Sequence, residues 1–101
     1  MNDRRSSRRV IYQTEVSLLG SASPPFKAYS QDLSLGGMYL NTQQQFSQGM
    51  ILQLRFTVED AEIRTMAEVV HCQPGAGLGL KFLSLTADQE AIIRTVTESD
   101  E

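Results

Sequence analysis

Arg4, Arg5, Arg8 and Arg9 crowd four guanidinium groups into six positions near the start of the chain, with no lysine among them. A guanidinium is planar, offers a fork of donors matched to carboxylates and phosphates, and stacks on flat rings, where lysine offers only a point charge. A second group lies in QDLSLGGMYL, where Asp32, Ser34 and Gly37 stand in the pattern DxSxxG and Gly36 precedes the last of them. Two residues apart on a strand end, Asp32 and Ser34 are expected to project from one face, so that an acceptor and a hydroxyl converge. Gly36 and Gly37 are expected to supply positive φ at a bend and bare backbone N–H groups. Either group alone has an ordinary explanation, a solvated tail for the arginines and a self-bonded turn for the Asp and Ser. Together they fit a guanine nucleotide. Guanine offers O6 and N7 to an arginine fork and N1–H and N2–H to a carboxylate. Its face accepts a stacked guanidinium, and phosphates want cationic donors, hydroxyls and backbone N–H groups.

Other chemistry is poorly provided for. His71 and Cys72 are the only histidine and the only cysteine, too few for a metal site of three or four ligands. No serine has a nucleophile-elbow context, so no enzyme activity, catalytic residue or metal is expected. A lone cysteine makes no internal disulfide, which suits a reducing, cytoplasmic setting. No apolar run approaches the roughly 20 residues of a membrane helix, and Gln13, Thr14 and Glu15 interrupt what would have to be the apolar core of a leader. Residues 1–10 hold four arginines against Asp3, a net +3, while the rest holds five Lys/Arg against eleven Asp/Glu, a net −6. Such a body repels a polyanion, and a nucleic-acid partner is disfavoured.

The elements that must position these residues are short strands. At 101 residues the chain suits one domain with one core. MILQLRFTV alternates Met50, Leu52, Leu54, Phe56 and Val58 with exposed partners, the period of a half-buried strand. EIRTMAEVVHC repeats the pattern with Ile63, Thr65, Ala67 and Val69, and Glu59-Asp60-Ala61 joins the two as a hairpin. VIYQTEVSLL, FKAYSQDLS, GMYLNTQ and LGLKFLSL complete about six strands, the spacing of an antiparallel sandwich or barrel. Thr86-Ala87-Asp88-Gln89 reads as a capping box opening a helix of about 11 residues, with Ile92, Ile93 and Val96 as its apolar stripe. Met38, Met50 and Met66 are read as core filler, and Tyr39, Phe46 and Phe82 as core aromatics.

On these residues the chain resembles the PilZ domain family. Arg5-Ser6-Ser7-Arg8-Arg9 fits RxxxR, Asp32 to Gly37 fits DxSxxG, and GLGLKFLSL over 77–85 is similar to the family's late glycine-aliphatic-Phe-Leu strand. The resemblance implies an all-β fold, a six-stranded antiparallel β-barrel with a flexible N-terminal arm and a C-terminal α-helix. One domain would cover 1–101, with the arm at 1–9, the barrel at 10–85 and the helix at 86–97. It also implies a receptor for cyclic di-GMP in which Arg5 and Arg9 grip guanine and phosphate. Asp32 and Ser34 would take the base edge and nearby polar groups, with Gly36 and Gly37 permitting the bend. Arg4 and Arg8 also satisfy RxxxR; Arg5 with Arg9 is preferred because Arg9 leads directly into the first strand. The arginine at position 4 implies an intercalated pair of ligand molecules.

Ordering a five-residue arm costs on the order of 5 to 10 kcal/mol, while charge-assisted bonds return about 1.5 to 3 kcal/mol apiece. Several must form together, which predicts an arm that changes conformation on binding and an effector protein that reads the change. Two alternatives remain: a small barrel binding single-stranded nucleic acid through its arginines, and an interaction adaptor of the same fold without nucleotide binding.

Overall fold

A computed structural model describes residues 9–19, 26–44, 46–73 and 75–98. Strands β1 (Val10–Ile11), β2 (Glu15–Leu19), β3 (Phe26–Leu33), β4 (Gly37–Asn41), β5 (Ile51–Val58), β6 (Ala61–Gln73) and β7 (Gly77–Phe82) precede one helix, α1 (Ala87–Thr97). All strand pairs are antiparallel, and the order β3-β2-β5-β6-β7-β4 closes through a β3–β4 pairing. The result is a six-stranded barrel, with β1 and β2 as two pieces of one strand on the same edge of β3.

The break between those pieces has a specific cause. Ser30, fully buried on β3, donates its hydroxyl to the Tyr12 carbonyl at 2.6 Å and accepts from the Thr14 N–H at 3.0 Å. A side chain thus replaces part of the backbone ladder, so the continuous run expected over 10–19 is interrupted at residues 12–14. At the other end of the sheet β7 stops at Phe82, short of the expected Leu85, although the Leu83 N–H still reaches the Met66 carbonyl.

The barrel is filled by the alternating residues of its walls. Leu52, Leu54, Phe56 and Val58 from β5 meet Ile63, Ala67 and Val69 from β6 and Leu78, Leu80 and Phe82 from β7. Phe56 stacks on Phe82 at 6.0 Å between ring centroids, and Phe26 stacks on Phe46 at 5.4 Å beside the core. Removing these apolar surfaces from water is the main force holding the sheet closed. The β5–β6 hairpin turns at Glu59 and Asp60, both at positive φ, a conformation that aspartate tolerates better than most residues. Met38 is buried as expected, but Met66 is 43% exposed, because its place on β6 faces outward between the inward Thr65 and Ala67.

The capping box forms as read: the Gln89 N–H donates to Thr86 Oγ1 at 3.1 Å, and the Thr86 N–H donates to Gln89 Oε1 at 3.0 Å. This pair contributes about 1 kcal/mol to the helix. The same Gln89 side chain also donates to the Arg64 carbonyl at 2.8 Å, tying α1 to β6. Ile93 is fully buried in the core while Ile92 and Val96 pack at its edge. Among the described residues no helix is long and apolar enough to cross a membrane.

Candidate ligand-binding site

Two breaks in the period-two pattern build the site. In β3 the register against β4 shifts between Ser30 and Asp32, so that Gln31 and Asp32 both face outward between the buried Ser30 and Leu33. In β6 the register against β7 shifts between Val69 and His71, and Val70 and His71 are both exposed after the buried Val69. A β-bulge places an extra residue on one side of a strand and re-aims its neighbours. Here the two bulges send four side chains, Gln31, Asp32, Val70 and His71, to one open cavity of about 550 Å³ on the outside of the barrel. That volume suits a small organic ligand.

The backbone register lays the site out as a row. Ile11 on β1 pairs with Asp32 on β3, Asp32 with Tyr39 on β4, Tyr39 with Gly79 on β7, and Gly79 with His71 on β6. At one end Arg9 Nη1 donates to Asp32 Oδ1 at 2.5 Å. The same oxygen accepts the Tyr39 N–H at 3.1 Å. The Asp32 side chain keeps only 14% of its surface in water, while that of Arg9 keeps 51%. The carboxylate is therefore fixed by the barrel, whereas the guanidinium is held chiefly by the carboxylate. Further along, Tyr39 Oη donates to Gln73 Oε1 at 2.6 Å, which draws the ring across Gly77. A Cβ at Gly77 would stand only 2.6 Å from Tyr39 Oη and Cε2.

Residues 32–37 behave differently from the reading of their sequence. The Ser34 hydroxyl is buried and accepts from the Gly36 N–H at 3.1 Å and the Gly37 N–H at 3.2 Å. The Gly36 carbonyl accepts from the Phe82 N–H at 2.9 Å. Hydroxyl and amides are thus spent within the turn, and Asp32 alone of the motif lines the cavity. The expected convergence of the Asp32 and Ser34 side chains does not occur, because an inward-facing Ser satisfies the turn's own donors. Nor do Gly36 and Gly37 adopt positive φ, which among the described glycines is confined to Gly49 and Gly75. Gly37 is required by close approach: a Cβ there would overlap the Leu80 carbonyl across the β4–β7 pairing. Arg4, Arg5 and Arg8 lie outside the described residues. Among the described residues no group of three or more His, Cys, Asp and Glu side chains could hold a metal.

Gln31, Tyr39, His71, Gln73 and Gly79 also line the cavity, and their residue types alone do not mark them as binding residues. The signal was a change of phase: in β6 the buried positions run 63, 65, 67, 69 and then slip after Val69.

The chain matches the profile of the PilZ domain over residues 3–99. It belongs to the PilZ domain family. Solved structures with the same fold include the PilZ domain of CeSA from a cellulose-synthesising bacterium, at 18% identity and a TM-score of 0.69, covering 91% of this chain and 96% of that one. The PilZ domain of YcgR from Escherichia coli, solved with c-di-GMP, is 16% identical with a TM-score of 0.77, covering 96% of this chain and 91% of that one. MotI/DgrA of Bacillus subtilis, described as an inhibitor of motility, is 18% identical with a TM-score of 0.80, and this PilZ domain covers 50% of its length. No curated protein matches by sequence.

Proposed function

We propose that this PilZ domain is a non-catalytic cytoplasmic receptor for cyclic di-GMP that signals through an effector protein. One observation carries the reading. Arg9 closes the RxxxR motif and Asp32 opens DxSxxG, and these two residues, 23 apart in the chain, form an ion pair at the mouth of one open cavity. A guanine edge entering there offers N1–H and N2–H to Asp32 and frees the Arg9 fork for O6 and N7 or for a phosphate. Family membership supports the ligand class, as does the fold shared with the c-di-GMP-bound YcgR domain.

In this reading Arg5 completes the grip, and residues 1–9 change conformation over the bound nucleotide, giving the effector a surface to recognise. Ser34, Gly36 and Gly37 serve the site by holding the turn after Asp32 in shape. Arg4 sits beside an intercalated second molecule of the ligand.

Calorimetric titration with cyclic di-GMP tests this directly. The expected result is clear heat with a ratio of two ligands per chain. A ratio of one removes the role given to Arg4, and silent mixing with folded protein ends the receptor reading.

A further inference from the structure

Gly79 stands toward the end of the row away from Arg9, on the floor of the cavity, with Tyr39 to one side on β4 and His71 to the other on β6. A Cβ built on Gly79 would point between them, 3.1 Å from His71 Cβ and 3.9 Å from Tyr39 Cδ1. Its φ is not positive, so the backbone conformation does not demand glycine there. What glycine provides is a stretch of bare, flat strand backbone on an outer face where every other residue type would raise a side chain. Both flanks are built features. Tyr39 is held across Gly77 by its bond to Gln73, and His71 is turned outward by the β6 bulge.

We propose that Gly79 is the floor of a base subsite: one purine of the bound nucleotide lies flat on the β7 backbone at Gly79, between the Tyr39 ring and the His71 side chain. The inference rests on the receptor reading and adds to it a face-recognising contact at the end of the row away from Arg9. A purine is planar and apolar on its faces, so it fills a shallow slot that a phosphate or a ribose, both bulky and strongly hydrated, does not match. The amides of Gln31 and Gln73 line the same cavity and offer donors and acceptors to the base's edge. Tyr39 is a positioning residue for the slot through its bond to Gln73.

The test uses the full chain and cyclic di-GMP as the probe. In the proton spectrum of the unsubstituted chain, the Gly79 α-protons should move upfield on saturation, because a base stacked over them places them in its ring current. Gly79→Val should weaken binding by about 10- to 100-fold, the worth of one base stack. Its β-branched side chain suits a strand but requires His71 to give by a few tenths of an ångström, so a urea midpoint first establishes that the variant is folded, and Gly79→Ala provides a smaller filler giving a smaller loss. If the parent chain releases binding heat but the Gly79 α-protons stay in place, or if a folded Gly79→Val chain binds with unchanged affinity, the subsite is wrong while the receptor reading stands. If the parent chain releases no heat at all, both fall together.

Discussion

An Arg9→Ala chain should bind cyclic di-GMP at least about 100-fold more weakly than the parent while unfolding at nearly the same urea concentration. The separation of the two effects follows from burial. Arg9 is half exposed and its ion pair with Asp32 lies at the surface, where such pairs contribute about 0 to 1 kcal/mol to folding. Toward a nucleotide the same side chain offers two charge-assisted bonds, each worth about 1.5 to 3 kcal/mol, and a tenfold change in affinity is about 1.4 kcal/mol. Arg9→Lys should recover little of the loss, because the ammonium keeps the charge but not the planar fork. Calorimetry of the three chains alongside urea unfolding reads both quantities. Equal affinities for parent and Arg9→Ala would remove the arginine from the site.

The second large effect concerns the barrel itself. Gly37→Ala should cost about 3 to 5 kcal/mol, because the added methyl group meets the Leu80 backbone and not a side chain that can swing away. The β4–β7 pairing would have to open around it, sacrificing ladder hydrogen bonds worth about 0.5 to 1.5 kcal/mol each in addition to the overpacking cost. Against a total stability of about 5 to 15 kcal/mol for a small domain, that is a large fraction, and a urea midpoint reads it. A loss below about 1 kcal/mol would show that the two strands separate freely here.

These two substitutions mark how far residue types alone carry the argument. Arg9 and Asp32 could be assigned to one ligand site from the sequence because both belong to recognisable motifs, whereas their direct ion pair is visible only in the fold. Alternation likewise revealed β5 and the first half of β6, since a strand wall buries every second residue. The capping box at Thr86 and Gln89 is local and formed as its residues imply. What stayed hidden depends on contacts between distant segments. Gly37 looks like a bend residue until Leu80 is seen beside it. Ser34 looks like a ligand group until its hydroxyl is found bonded to Gly36 and Gly37. The interruption at residues 12–14 is caused by Ser30, which is distant in sequence.

The bulges teach the same point with a functional consequence. His71 invites reading as a packed strand-end residue, and Tyr39 as a core aromatic. Both belong instead to the outer wall, because one extra residue at Val70 reverses which side of β6 faces water and because Tyr39 alternates with the buried Met38 and Leu40. Gly79 carries no chemistry of its own, so no inventory of donors and acceptors points to it. Its part becomes visible only when its neighbours on β4 and β6 are in place.

The most direct measurement is a crystal structure of the chain grown with saturating cyclic di-GMP. The expected result is a guanine edge on the Asp32 carboxylate, the Arg9 guanidinium in contact with the same nucleotide, and the ligand lying along the row from Asp32 toward His71. Nucleotide bound on another face of the barrel, with the Arg9–Asp32 pair intact and the cavity beside it empty, would contradict the account.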